Sequence, residues 1–167
     1  ARAWRESGAQ PLTISVNVSP QQFRQPGYVA AVREVVAEFG SGEGLCLELT
    51  ESSMMDEPDS KIMLLQSLRE LGFRLSIDDF GTGYSSLSYL RKFPLDELKI
   101  DKSFIDEVEH NADAAAITEA IIVMARSLGL SVVAEGVETR GQQAFLRERR
   151  CQVAQGFLFG KPVPAAE

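Results

Sequence analysis

Asp78 and Asp79 stand side by side at the end of the mainly apolar run that begins at Phe73, just before the loop Gly81-Thr82-Gly83. Two adjacent carboxylates at the end of a buried segment repel one another unless a cation or a proton separates them. Other polar groups recur in similar settings. Asn17 lies near the end of one strand-like run, and Glu48 lies near the end of the next, with Glu51 beyond it. Lys99, Glu135 and Gln155 lie near the ends of three more. Asn, Glu and Asp oxygens are hard donors suited to Mg²⁺ or Mn²⁺. In an adjacent Asp pair, one carboxylate can bridge two cations while its neighbour holds one. Two such ions, about 3.5–4 Å apart, clamp the attacking and leaving oxygens of a phosphoryl displacement. Lys99 then positions the attacking water or offsets phosphate charge, and Glu135 takes a proton from that water or completes the second metal shell.

Each residue also has an ordinary reading when taken alone. An Asp-Asp pair is often a helix cap or turn, Asn17 a hydrogen-bonded strand end, Lys99 a surface lysine and Gln155 a turn residue. Glu51 and Glu138 also read as loop anchors. Their recurrence at one end of every strand points to a site, since that is the edge where sites form in parallel α/β folds.

The elements that must position them alternate along the chain. Strand-like runs are LTISVNVS, GLCLELTES, RLSIDDF, ELKIDKSF, SVVAEGVE and VAQGFLF. Between them lie amphipathic helical stripes: Val29, Val32, Val36 and Phe39, stopped by Gly40; Leu64, Leu68 and Leu71, opened by Pro58 and stopped by Gly72; and Ile117, Ile121, Met124 and Leu128, ending at Gly129. A shorter helix is expected from Tyr84 to Arg91, and another after Thr139 with Phe145 and Leu146 facing in. Strict alternation of strand and helix predicts a parallel sheet with helical crossovers. An open doubly wound sheet and a (β/α)8 barrel both satisfy it. A barrel needs eight strands and about 250 residues, so if the fold is a barrel, six strands mean that its first two are missing. The opening ARAWRESGAQP reads as the tail of a helix leading into a strand.

The 167 residues suit one domain with a substantial core. With 17 basic and 24 acidic side chains, the net charge of −7 argues against a DNA or RNA polymer as partner. It leaves room for a small anion at a metal. Cys46 and Cys151 are the only cysteines. No disulfide framework is indicated, Cys46 reads as core, and a reducing compartment follows. The single histidine, His110, sits in the polar stretch EHNAD and reads as a solvated loop residue. No apolar run reaches 18 residues, and no signal peptide is recognisable.

The segments SVNVSPQQF, LELTES, IDDFGTGYSSLSYL, LKIDKSFI, VVAEGVET and QGFLFGKPVP resemble the EAL-domain family of bacterial cyclic di-GMP phosphodiesterases. The resemblance runs from about Leu12 to Pro164, and DDFGTG with AEGVE and QG is its most specific part. It implies a (β/α)8 TIM-like barrel of the EAL type, and hydrolysis of cyclic di-GMP to linear pGpG with Mg²⁺ or Mn²⁺. It implies Asn17, Glu48 and Asp78 at a first metal and Asp78 with Asp79 at a second. Lys99 and Glu135 would act on the nucleophilic water, and Glu135 would also reach a metal. Glu51 would steady the loop Gly81 to Ser85, and Gln155 would line the substrate site. Phe157 stands where many members carry tyrosine.

The Glu-Ala-Leu signature is absent, and so is a nearby phosphate-binding arginine. In the family both lie upstream, in the part that the strand count finds missing. Residues 1–167 are therefore expected to be a partial EAL domain of about six β/α units, three quarters of the barrel or less. Such a chain is expected to be weakly active or inactive alone, and to associate through exposed barrel edges. The parent protein is expected to be cytoplasmic or anchored to a membrane through other regions, with sensory or diguanylate-cyclase-like GGDEF domains. The alternatives are a catalytically inactive cyclic di-GMP receptor or a protein-interaction module. A two-component receiver fits less well, because Glu48 and Glu135 have no role in it.

Overall fold

In the computed structural model, described for residues 12–83 and 86–163, six strands alternate with helices. The expected helix tail in residues 1–11 lies outside the described residues, as do Tyr84, Ser85, Pro164 and the side chain of Phe39. The chain divides into two compact units, Ala1–Asp78 with Gly83–Glu97, and Asp79–Thr82 with Leu98–Glu167.

In the first unit, β1 (Ile14–Val18), β2 (Leu45–Thr50) and β3 (Arg74–Phe80) lie in chain order. Both pairings are parallel, with Asn17 opposite Glu48 and Glu48 opposite Ser76. Cys46 through Leu49 are buried without alternation, as expected of a parallel strand covered on both faces. Short α1 (Pro20–Phe23) opens with a capping box between Ser19 and Gln22. Gly40, at φ 101°, ends α2 (Tyr28–Phe39) in a conformation that glycine adopts without steric cost. After β2 come α3 (Glu51–Met55) and α4 (Pro58–Glu70), the latter with proline in its first turn, where a missing N–H breaks no helical bond. The four-residue α5 (Leu87–Leu90) is shorter than the helix expected from Tyr84 to Arg91.

The second unit takes up β4 (Glu97–Ile100) from Leu98 onward, followed in order by β5 (Ser131–Ala134) and β6 (Val153–Ala154), with β5 and β6 parallel. Five of the six expected strands are shorter than their sequence runs, and RLSIDDF alone keeps its length; Glu135 and Gln155 lie just beyond the ends of β5 and β6. LELTES leaves the strand after Thr50, so Glu51 begins a helix. LKIDKSF leaves it after Ile100, where Asp101 accepts the Ser103 N–H at 2.9 Å and opens α6 (Lys102–Glu107). An N-cap aspartate outcompetes strand propensity here. Asn111 caps α7 (Ala112–Ser127), and Thr139 with Gln142 forms the capping box of α8 (Arg140–Glu148). The inward face of α7 is Ala114, Thr118, Ile121, Ile122 and Ala125, which corrects the expected stripe: Ile117 is 45% exposed. His110 is exposed and Cys46 is buried. No helix among the described residues is long and apolar enough to cross a membrane.

Candidate active site

Parallel register decides which side chains of the first unit share a face. Partners across parallel strands point the same way, and residues two apart on one strand share a face. Asn17, Glu48 and Ser76 therefore line up across β1, β2 and β3, with Asp78 on the same face one step nearer the strand end. Glu48 and Asp78 are buried at 6% and 8% exposure, whereas Asn17 is exposed. Carboxylates so placed need partners or a cation.

Glu51 is buried at the start of α3 and its carboxylate accepts the backbone N–H of Gly83 at 3.3 Å. A Cβ on Gly83 would sit 2.9 Å from Glu51 Oε1, so glycine is what lets the loop come this close. The Glu51 carboxylate thus touches the loop at Gly83.

In the second unit the backbone turns sharply at Asp79, a non-glycine residue at φ 55°. Such a conformation costs of order 1–3 kcal/mol and persists only where its surroundings hold it. Here Asp79 O accepts the Thr82 hydroxyl at 2.9 Å, and Gly81 passes so close to Phe104 that a Cβ would lie 2.8 Å from the ring. The turn sets an oxygen of the Asp79 carboxylate within 4.8 Å of one from Glu135.

Glu135 follows β5 and its N–H donates to Ile100 O at 3.2 Å. Its Oε1 accepts from Lys99 Nζ at 2.7 Å and from Gln155 Nε2 at 2.8 Å. Lys99 is buried, so its ammonium is held by a fixed carboxylate and not by solvent. The sequence placed Lys99, Glu135 and Gln155 at the ends of three strands, and the second unit brings all three together.

Lys102 was not singled out by sequence. Its stem crosses Gly136, where a Cβ would lie 2.3 Å from Lys102 Cγ, and its Nζ pairs with Glu138 at 2.6 Å. That bond to the Glu138 carboxylate holds the Lys102 ammonium above the usual lysine range. A cavity of about 460 Å³ opens beside it, lined also by Gln155, Phe157 and Lys161. Only the conjunction of a glycine at φ 71° with a lysine on α6 reveals this arrangement.

Comparison with known proteins places this geometry in a lineage. The family model for the EAL domain matches residues 1–162. The bifunctional diguanylate cyclase/cyclic di-GMP phosphodiesterase MucR of Pseudomonas aeruginosa is 46% identical over 167 residues, 99% of this chain and 24% of that protein. The cyclic di-GMP phosphodiesterase NbdA of the same organism is 48% identical over 166 residues, 99% of this chain and 21% of its own length. The chain thus spans about a quarter or less of these curated relatives. Among solved structures, the MucR phosphodiesterase in its c-di-GMP complex aligns with a TM-score of 0.94 at 47% identity, over 98% of this chain and 67% of that one. The architecture is accordingly the α/β, TIM-like barrel fold implied by the resemblance, present here in part as six strands among the described residues. The chain belongs to the EAL domain family.

Proposed function

We propose that the protein carrying this EAL domain hydrolyses cyclic di-GMP to linear pGpG with Mg²⁺ or Mn²⁺. The observation that carries the reading is the Glu135 carboxylate. One of its oxygens is fixed by Lys99 and Gln155, and the group lies within 4.8 Å of Asp79. The donor set fits a hard divalent ion, because it is built of carboxylate and amide oxygens with no thiolate or imidazole. Asn17, Glu48 and Asp78 would hold one ion, and Asp78 with Asp79 a second. When bound, such ions lower the pKa of water and offset charge on the phosphate. The chain's own groups supply the rest. Glu135 accepts the proton of the attacking water, Lys99 keeps that carboxylate oriented and adds positive charge, and Gln155 holds the same oxygen from the substrate side. Glu51 fixes the loop at Gly83.

The test is incubation of cyclic di-GMP with the protein and Mg²⁺ or Mn²⁺, with pGpG read by chromatography. Turnover is expected in the protein, and loss of turnover in Asp78→Ala. Persistence of full turnover in Asp78→Ala would remove the reading.

The setting of the domain belongs to the same proposal. We place it in the cytoplasm, as part of a protein with sensory or GGDEF domains. Association with a second copy is part of the same proposal. Light scattering showing a monomer across concentrations would exclude that association.

A further inference from the structure

Ser76 is fully buried in the middle of β3, and its hydroxyl has no hydrogen-bond partner among the described residues. A buried hydroxyl left in that state costs roughly 1–3 kcal/mol, and an alanine would fill nearly the same volume without it. The position is not arbitrary. Ser76 is the register partner of Glu48 and shares its face with Asp78, two residues further along the same strand. Parallel neighbours in a sheet lie about 4.8 Å apart, within reach of a serine hydroxyl donating to a carboxylate. Carboxylates that ligate a metal are themselves held by hydrogen bonds, and loss of such a partner weakens metal affinity by about 10–100-fold.

From the buried hydroxyl and its register we infer that Ser76 is a positioning residue for Glu48: its Oγ–H donates to the Glu48 carboxylate when that carboxylate turns to a divalent cation. The inference rests on the metal-dependent function proposed above, and it makes the fold carry a local instability that metal binding offsets. Apolar Leu75 and Ile77 flank Ser76 on the opposite face of β3 and belong to the core, whereas Ser76 and Asp78 are the buried polar residues of the strand.

The test compares Ser76→Ala, Ser76→Thr and Asp78→Ala with the unaltered chain, using titration with Mn²⁺ alone and thermal melting without metal. Ser76→Ala is expected to melt at the same or a higher temperature without metal, yet to bind Mn²⁺ about tenfold more weakly. Ser76→Thr, which keeps the hydroxyl, should restore the affinity. A Ser76→Ala chain that binds Mn²⁺ as tightly as the parent overturns the inference, as does one that melts lower without metal, since the hydroxyl would then be bonded within the apo fold. If the unaltered chain and Asp78→Ala bind Mn²⁺ equally or not at all, the metal reading itself fails and Ser76 falls with it.

Discussion

Lys99 Nζ lies 2.7 Å from Glu135 Oε1, with side-chain exposures of 5% and 17%, and this pair ties β4 to the end of β5. Removing one member of a buried pair costs more than removing both, because the survivor keeps its desolvation without the opposite charge. Lys99→Met is therefore expected to destabilise the protein by about 3–5 kcal/mol. Adding Glu135→Gln should restore much of that loss, since Gln155 can still bond an amide at that place. Chemical denaturation of the two single variants and the double variant measures the coupling. Hydrolysis should be lost in all three, so recovered stability without recovered turnover separates the structural role of the pair from its chemical one.

Glu51 and Gly83 make a second testable contact, a buried carboxylate accepting one backbone N–H at 3.3 Å. Hydrogen bonds to a charged group contribute about 1.5–3 kcal/mol. Glu51→Ala should release the loop at Gly83 while β2 and β3 stay paired. Amide exchange should then rise at Gly83 and not at Leu47 or Leu75. Gly83→Ala approaches the same contact from the other side, since its Cβ would fall 2.9 Å from Oε1. It is expected to lower turnover with a smaller change in melting temperature. Unchanged exchange at Gly83 in Glu51→Ala would show that the loop is held by other means.

The six strands were legible because buried parallel strands are short apolar runs with polar ends, and because the candidate site residues lie at or just beyond those ends. What the sequence conceals is where a strand stops and a cap begins. Asp101 looks like the last polar residue of a strand but accepts Ser103 N–H and starts a helix. Ile117 looks like a core residue in a 3.6-residue stripe. In α7, however, small Ala114 and Ala125 line the buried face together with Thr118 and the isoleucines, so apolar size alone misplaces the stripe. Ser76 gives no signal in sequence, because a serine within an apolar run is common. Only the pairing with Glu48 gives it a meaning. Lys102 stayed hidden for a related reason: its path over Gly136 depends on a backbone conformation and not on residue type.

Lys61 of α4 is buried at 8% exposure, with its Nζ 4.7 Å from the centre of the Phe23 ring. Phe23 is 1% exposed and anchors α1 just after the strand that carries Asn17. Phe23→Ala should cost about 3–5 kcal/mol through cavity formation. Lys61→Met should cost much less, because losing a cation–π contact of about 0.5–2 kcal/mol is offset by relief from burying an ammonium. If Lys61→Met proves as damaging as Phe23→Ala in denaturant melts, the ammonium has a larger role than its aromatic contact accounts for.

Cys46 sits on β2 between Leu45 and Leu47, and burial pushes its thiol up to about 12, with the nearby Glu97 carboxylate adding to the rise. Burial raises the Cys151 thiol as well, against bonds to backbone carbonyls that lower it. The thiolate is the nucleophile, and at pH 8 a thiol with that pKa is ionised to the order of 1 part in 10⁴. The sign of the linkage follows: a thiol raised in the folded state holds its proton there, so Cys46 reduces stability as pH climbs from the ordinary thiol range toward 12. Intact-mass measurement after a brief iodoacetamide pulse at pH 8 should show Cys46 unmodified in the folded chain and Cys151 slow. Both should react fully in denaturant. Rapid labelling of Cys46 without denaturant would mean that β2 opens on the timescale of the pulse, and the Glu48 carboxylate two residues along could not then be a preorganised metal ligand.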